Sequence, residues 1–483
     1  MKLKELLKGI NVLACTADPE TEIGSVAYDS RKVEKGGLFV AISGFTSDGN
    51  RFIPMAVERG AAVVVTAKKP KLEVPYVLVD NDRLALALLG TNFYGHPAES
   101  MTMIGITGTN GKTSVTLLLK QVLEETLEAK VGLIGTMGAL VGDTHIESER
   151  TTPESFELQG LFAKMRDAGC THVVMEVSSH ALTLDRVGGI HFDVAAFTNL
   201  TEDHLDFHKT MDAYCDAKAM LFERCSKAVI NLDDSYAHRM LDKAKCPIVT
   251  CSVRGMGNLN AKNLQLHAEG ICFEASPVIG KCVEVSLPIP GKFTVYNALT
   301  VLGIARSLGI SLEASAAALA RAKGVKGRIE VVPTPGKPFS VLIDYAHTPD
   351  GLENVLSSVK DFCKGRLISV FGCGGDRDPI KRPIMGEIGV KLADFAIITS
   401  DNPRTEDPLA IIDDILKGVD PSMGPYVVVP ERRTAIRYAM DIAKKDDIIV
   451  LAGKGHETYQ EINGVKYHLD EREEVAAHLA EMG

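Results

Sequence analysis

The sequence predicts an α/β protein of three domains with mostly parallel sheets, and three observations support this. Short β-branched runs alternate with helical patterns along the whole chain, the arrangement of strands covered by crossover helices. At 483 residues the chain exceeds what one core supports, and about 150 residues per domain gives about three domains. The strands of the third block, and most others, run into clusters of glycine, polar or charged residues, and ligands of open α/β sheets sit at strand carboxyl ends.

The first block, residues 1–100, holds strand candidates "SVAYDSR", "GGLFVAI", "AAVVVTA" and "VPYVLVD" with a helix-like "FIPMAVERG". The second, residues 101–328, opens at "MTMIGITG" and continues through "HVVMEVSS", "FDVAAFTN" and "SKAVINLD" to the apolar-periodic helix "YNALTVLGIARSLG". The stretch "RAKGVKGRIEVVPTPGKP" has the glycine, proline and lysine content of a connection between domains. The third block, residues 329–483, carries "FSVLIDYAH", "RLISVFGCGG", "FAIITSDNPR" and "DIIVLAGKGHE".

Composition narrows the function. An apolar fraction of 45% with 24% charged residues is that of a globular protein, and net charge is −10, from 53 basic against 63 acidic residues. A duplex-binding protein shows a basic face, so nucleic acid is not an expected partner. Lys4, Glu5, Lys8 and Asn11 interrupt any signal-peptide core, and no run reaches the roughly 20 apolar residues of a membrane span. Ten scattered cysteines without a C-x-x-C pair fit reduced thiols rather than a disulfide framework or zinc site. A cytoplasmic, monomeric protein is the expectation.

"MTMIGITGTNGKTS" reads as a strand, a glycine-rich turn and the start of a helix. Glycines let successive N–H groups face one concavity, and the helix adds its positive N-terminus. Lys112 would reach the outer phosphates of ATP and Thr113 would coordinate Mg²⁺, although Ile106 replaces the first glycine of the strict pattern and the spacing is Gly105-x5-Gly111-Lys112-Thr113. Glu176 ends the strand "THVVMEV", where a carboxylate suits cation ligation. Asp203, His204, Asp206 and His208 crowd into "FTNLTEDHLDFH". They suggest a second metal or phosphate position, with one histidine as ligand and the others capping a helix or lying on the surface.

"TGTNGKTS", "MEVSSHAL", "FTNLTEDHLDFH", "IDYAHTPDGL", "FGCGGDRD" and "AGKGHE" resemble, in order and over essentially the whole chain, the motifs of the Mur ligase family, the ATP-dependent amide-forming enzymes of peptidoglycan precursor synthesis. The resemblance implies a central P-loop-type, mostly parallel sheet ATPase domain flanked by an N-terminal uridine-binding α/β domain and a C-terminal Rossmann-like α/β domain. "YDSRKVEKGGLFVAISG", "DNPRTEDP" and "GKGHE" look like the family member that adds a diamino acid to UDP-N-acetylmuramoyl-L-alanyl-D-glutamate. That implies transfer of the ATP γ-phosphate to the D-glutamate side-chain carboxylate, then attack on the acyl phosphate by the incoming amine.

Residue by residue, the resemblance implies nucleotide contacts from Gly108, Thr109, Asn110, Gly111, Lys112, Thr113, Ser114, Asn297, Arg328, Asp344 and His347. His204 matches the second metal ligand, and Lys218 the lysine that takes up CO₂ as a carbamate, an oxygen-bearing anion suited to Mg²⁺. Lys112, Lys218 and His204 form the implied catalytic set, with Thr113, Glu176, His204 and carbamoylated Lys218 as metal ligands. Thr151, Thr152, Ser178 and Arg186 look like contacts to the muramoyl dipeptide, with Leu184 standing where relatives carry glutamine. Ser30, Phe45, Thr46 and Ser47 match the uridine region, the last three departing from a histidine-glutamine version.

The added amino acid can be argued from "TSDNPRTEDP". Meso-diaminopimelate carries one carboxylate more than lysine, and a guanidinium matches a carboxylate with two parallel hydrogen bonds, which assigns that group to Arg404. Asp401 and Asn402 would take the ammonium, with Arg377, Pro403, Gly453 and Glu457 completing the pocket. L-Lysine as the added amino acid, a small-molecule kinase and a non-catalytic nucleotide-gated binder are the competing readings.

Overall fold

The computed structural model describes residues 1–44, 47–142, 144–148, 150–267, 269–324 and 326–482. The chain divides into two compact units, one of Met1–Thr250 with Gly303–Ile310, the other of Cys251–Leu302 with Ser311–Gly483.

The first unit contains two sheets. One has the order Val12–Cys15, Tyr76–Val79, Val63–Thr66, Leu38–Ala41, Val26–Ala27, parallel except for its first strand. Its central strands are buried on both faces, as in sheets with helices on either side. Leu38, Val40, Val63, Val65, Val77 and Val79 pack one face against Ala85, Leu86 and Leu89 of helix Asp82–Phe93. That helix starts where the Asn81 side chain accepts the N–H groups of Arg83 and Leu84, satisfying donors that have no partner in the first turn.

The other sheet of this unit runs Ala228–Asn231, Val194–Phe197, Thr102–Thr107, His172–Glu176, Val131–Gly135, then the antiparallel pair Gly138–Val141 and Thr144–Ile146. The first five are parallel, and their register aligns Ile106 with Glu176 and Thr107 with Phe197. Strand order reverses around Thr102–Thr107, so the loop after it opens at the crevice where α/β sheets take ligands.

In the second unit, Leu259–His267, Gly270–Pro277 and Val283–Leu287 form an antiparallel meander with a bulge between Lys262 and Gln265. A six-stranded sheet follows in the order Glu330–Val332, Ser340–Asp344, Ile448–Ala452, Leu367–Phe371, Phe395–Ile398, Tyr426–Val428, parallel except for its first strand. Helix Pro349–Lys360, with Thr348 capping it and proline at its first position, buries Leu352, Val355, Leu356 and Val359 on one face of that sheet. Helix Arg432–Ile442 buries Ala435, Ile436, Ala439 and Met440 on the other.

The strands named from sequence form where expected. The antiparallel strands were not anticipated, because their outward residues are polar and their glycine and proline boundaries read as loops. Part of the expected connection, "RAKGVKGRIEVVPTPGKP", instead supplies strand Glu330–Val332, paired antiparallel with Ser340–Asp344. An edge strand needs only one bonded partner, so three residues with a single buried side chain, Val332, suffice.

Candidate active site

Gly108 has φ +145°, and a Cβ there would collide with Thr198 Oγ1 and lie 3.1 Å from the Asn199 backbone; only glycine fits. The loop is tied to the neighbouring strand end. Thr109 N donates to Asn199 O (2.8 Å), Asn110 N to Asn199 Oδ1 (2.9 Å) and Thr198 Oγ1 to Asn110 O (2.7 Å). Gly111, at φ +85°, is the N-cap of helix Lys112–Leu127, so Thr113 and Ser114 fall in the first turn, at the positive end of the helix.

Two lysines converge on this loop. Lys112 Nζ donates to the carbonyls of Gly108 (2.9 Å) and Thr109 (2.8 Å), and Lys218 Nζ donates to the same Gly108 oxygen (2.8 Å). Lys218 is 1% exposed and lies over the Tyr214 ring at 4.5 Å. Burial, reinforced by the charge of Lys112, pushes its pKa well below the usual lysine value. Taken alone, a lysine in "DAYCDAKAMLF" reads as a solvated helix residue; the fold buries it and favours the neutral, nucleophilic amine.

Glu176 is 1% exposed. Its Oε1 accepts from Thr113 Oγ1 (2.9 Å) and Thr136 N (2.9 Å), and its Oε2 from Thr136 Oγ1 (3.1 Å). All these donors are neutral, so among the described residues no cationic side chain occupies the carboxylate oxygens. His204 adopts the left-handed conformation at φ +54°, with Nε2 3.3 Å from Asp203 Oδ2 and its ring 4.9 Å from that of His180. Burial, with Lys218 and Lys112 nearby, lowers its pKa, keeping the imidazole neutral and able to ligate. His208 is buried and shares a hydrogen bond with Ser179 Oγ (2.9 Å), while Asp206 is exposed. This donor set of carboxylate, hydroxyl and neutral imidazole beside a neutral amine fits magnesium and a carbamate.

The threonine pair lies beside Glu176. Thr152 Oγ1 donates to Glu176 O (2.8 Å) and accepts from Ser178 N (3.1 Å), Thr151 Oγ1 is 3.3 Å from Thr136 Oγ1, and Arg186 Nη1 donates to Thr152 O (3.1 Å). In the same unit Ser30 is buried with Oγ on Met55 Sδ (3.3 Å) and Ser47 is exposed. Phe45 and Thr46 lie outside the described residues.

The second unit has its own polar centre. Arg404, at φ +51°, donates from Nη1 to Gly375 O (2.8 Å), and its Nε lies 3.4 Å from Glu461 Oε2. Gly375 N donates to Asn402 O (2.9 Å), and a Cβ at Gly374 would lie 2.9 Å from Arg404 Nη1 and 3.9 Å from Arg377 Cγ. The Asn402 amide bonds through both its nitrogen and its oxygen. Its Nδ2 donates to Glu457 Oε2 (2.8 Å), and its Oδ1 accepts from Lys454 Nζ and Glu461 N (2.9 Å each). It organises the pocket, and the open acceptor is Asp401 Oδ2, buried without a hydrogen bond, 3.8 Å from Arg432 Nη1. Burial would raise the Asp401 pKa, yet Lys454 and Arg432 outweigh it and hold the carboxyl below its usual value. Pro403 joins these residues, and Gly453, at φ +118°, would place a Cβ 2.5 Å from Asp401 Oδ2. Asp344 Oδ2 accepts from Ile329 N (2.8 Å), Arg328 lies over the Tyr345 ring at 5.2 Å, and His347 Nδ1 bonds Tyr345 O (2.8 Å). Asn297 is buried within helix Lys292–Ser307.

Sequence reading singled out neither Thr136, Asn199 nor Tyr214, nor the buried Arg432 and Lys454. Lys454 stands inside "AGKGHE" and was within reach; Arg432 lies in an ordinary amphipathic helix and carried no signal.

Residues 22–94 match a model described as the Mur ligase family catalytic domain, 106–305 the Mur ligase middle domain, and 327–455 the Mur ligase glutamate ligase domain. Curated proteins named UDP-N-acetylmuramoyl-L-alanyl-D-glutamate–2,6-diaminopimelate ligase are similar over full length. The Clostridium tetani protein is 47% identical and a Clostridium acetobutylicum one 49%, each with 100% of both chains covered. A solved structure of a ligase with that name superposes at TM-score 0.75 with 32% identity, covering 100% of this chain and 99% of that one. A MurF ligase from Thermotoga maritima in complex with ADP shares the fold at TM-score 0.61 and 18% identity, covering 96% of this chain and 99% of that one. Among the described residues no helix is long and apolar enough to cross a membrane.

Proposed function

The chain belongs to the Mur ligase family, and from that premise we propose that it joins meso-2,6-diaminopimelate to the D-glutamate side-chain carboxylate of UDP-N-acetylmuramoyl-L-alanyl-D-glutamate, with ATP converted to ADP and phosphate. The observation that supports the choice of amino acid is a pair of opposite charges three residues apart: the Arg404 guanidinium for a carboxylate, and Asp401 Oδ2, buried without a hydrogen bond, for an ammonium. Relatives with 43–49% identity over essentially the whole chain bear the corresponding name.

A carboxylate is a poor electrophile and repels a phosphate, so the site must gather cations around both. Lys112, now on the carbonyls of Gly108 and Thr109, exchanges them for the γ-phosphate, and the helix N-terminus at Thr113 and Ser114 takes adjacent oxygens. Thr109, Asn110 and Gly111 supply the loop backbone; Asn297, Arg328, Asp344 and His347 are assigned to the nucleotide by their match to family motifs. Thr113 and Glu176 would hold one Mg²⁺, and His204 with a carbamate on Lys218 a second; bound there, the ions would supply positive charge against the phosphoryl oxygens. Thr151, Thr152, Ser178 and Arg186 hold the muramoyl dipeptide, and Ser30 and Ser47 its uridine. Asp401, Asn402, Arg404, Arg377, Pro403, Gly453 and Glu457 orient the diamino acid so that one neutral amine attacks the acyl phosphate. The enzyme works as a cytoplasmic monomer.

The test is product mass and ADP release with ATP, the UDP-muramoyl dipeptide and a panel of diamino acids. Diaminopimelate should be preferred over L-lysine, and Arg404→Ala should raise the KM for diaminopimelate by about 30-fold or more, matching the roughly 2–5 kcal/mol of a broken buried charge pair, with the KM for ATP little changed. Equal use of lysine and diaminopimelate by the unmodified enzyme would refute the assignment. Phosphorylated dipeptide formed without any amine would favour a kinase.

A further inference from the structure

Two thiols of the first unit lie in contact. Cys225 Sγ and Cys246 Sγ are 3.6 Å apart, against about 2.05 Å in a disulfide bond, and both residues carry free thiols. The backbone holds their segments side by side. Cys225 forms a parallel bridge with Phe192, three residues ahead of strand Ala228–Asn231. Cys246 precedes Pro247, whose carbonyl accepts from Ala228 N (3.0 Å). Chains joined by such bonds run about 4.8 Å apart, within the Cα separations that disulfides span. Cys225 is buried, and Cys246 is half-buried between exposed Lys245 and Pro247.

The two thiols bracket an element that backs Lys218. Helix Met211–Ala219 carries Lys218, the turn Met220–Arg224 continues it, and Cys225 follows. Helix Ala237–Lys243 lies against both. Arg239 reaches Asp216 (2.7 Å) and Asp212 (3.0 Å), and Lys243 reaches Glu223 (2.6 Å). Ala237 and Met240 join Tyr214, Cys215 and Ala219 in one apolar cluster. The ion-paired side chains are 34–73% exposed, and such pairs hold weakly. In the thiol form, residues 232–245 are therefore fastened chiefly by Ala237, Met240 and the Asp234 carboxylate on Leu200 N (2.8 Å), which leaves them free to open locally.

We propose that Cys225 and Cys246 are a reversible disulfide site, and that the disulfide clamps helix Ala237–Lys243 onto the helix that carries Lys218. The oxidant is a peroxide. Cys246, the accessible thiol, attacks one peroxide oxygen as its thiolate; the O–O bond breaks, hydroxide leaves and takes up the thiol's proton, and a sulfenic acid remains. Cys225 then attacks the Cys246 sulfur, and its own proton departs with the sulfenic hydroxyl as water. One S–S bond forms, the sulfurs give up two electrons, and the peroxide ends as two waters. Burial and the adjacent Cys246 push the Cys225 thiol up to about 12, so it stays protonated and brings the proton the second step needs. A dithiol reverses the bond by exchange. The closed loop spans about 20 residues, and closing it removes much of the freedom that local opening would gain.

Peptide mapping and hydrogen exchange, both read by mass spectrometry, test this on the full chain after dithiothreitol or hydrogen peroxide. Peroxide should yield a cross-linked peptide joining Cys225 to Cys246, about 2 Da lighter than the sum of its parts for the two hydrogens lost. Exchange across residues 232–245 should slow by about tenfold or more and recover on reduction. Cys225→Ala and Cys246→Ser should each abolish both effects. Cys246 is half-buried, so its variant keeps the test open even where Cys225→Ala is unstable. A Cys246 sulfinic acid in place of the cross-link would show that the thiols do not meet and overturns the proposal. So does a cross-link that leaves exchange unchanged, or slowed exchange that persists in Cys246→Ser.

Discussion

Replacing Arg432 by methionine should separate stability from recognition in the second unit. Arg432 is fully buried, as is its partner Glu471. Its Nε and Nη2 both reach Glu471 Oε1, at 2.8 and 2.7 Å, and Nη2 also donates to Ala452 O at 2.9 Å. Removing the guanidinium strands a carboxylate whose other oxygen already has no hydrogen bond. Breaking a buried pair costs about 3–5 kcal/mol; the helix N-terminus at Glu471 returns about 0.3–1 kcal/mol, leaving roughly 3 kcal/mol. The chain has no tryptophan, so urea unfolding is best followed by circular dichroism, where that loss lowers the midpoint by roughly 1 M or more. The second consequence passes through Asp401, 3.8 Å from Arg432 Nη1. At an effective dielectric constant of about 20 that attraction is about 4 kcal/mol, an upper figure because Lys454 and the Asn402 N–H still hold the carboxylate. The KM for diaminopimelate should therefore rise about tenfold. In the double variant Arg432→Met with Glu471→Leu, stability should return to within about 1 kcal/mol of the unmodified protein, while the KM stays raised. A single variant that loses less than 1 kcal/mol, or a double variant whose KM recovers along with stability, would refute this reasoning.

Other perturbations have equally direct readouts. Gly108→Ala forces an L-residue to φ +145° against Thr198 Oγ1, a strain of about 1–3 kcal/mol; steady-state kinetics should show the KM for ATP raised about tenfold or more and that for diaminopimelate unchanged. Lys218→Met keeps the buried stem and removes the amine, so turnover should fall about 10–100-fold, the scale for a lost metal-site group, with nucleotide affinity by calorimetry within about threefold; an unaltered rate excludes the carbamate. Asp447 accepts from Arg366 Nε at 3.0 Å, and although burial raises its pKa, Arg366 and neighbouring N–H groups lower it overall. A carboxyl with a depressed folded pKa contributes stability above its ordinary value near pH 4, lost as pH falls through the depressed value. Arg366→Met should therefore move the acid-unfolding midpoint to higher pH and cost about 1–3 kcal/mol at neutral pH, as measured by circular dichroism across a pH series.

Glu176, Thr113 and Lys112 were legible in sequence because one short segment and one strand end hold them, and backbone geometry places such residues with little help from the rest of the chain. The parallel strands were legible for a related reason: burial on both faces demands continuous apolar runs such as Val63–Thr66. The meander Leu259–His267, Gly270–Pro277, Val283–Leu287 was not, because one of its faces is polar. Asn402 is assigned to the substrate's ammonium from its motif alone; that its side chain also bonds Glu457, Lys454 and the Glu461 N–H is decided by segments more than fifty residues away.

By itself, the sequence determined the order of elements, the glycine-rich loop after strand Thr102–Thr107 and the guanidinium that follows strand Phe395–Ile398, since each is written in adjacent residues. Tertiary structure alone decided that Lys218 is buried on the Gly108 carbonyl, that Arg432 stands behind Asp401, and that Cys225 and Cys246 meet. The members of each pair are separated by between about twenty and more than a hundred residues. The burial and close contact that set their chemistry arise only when the chain is packed.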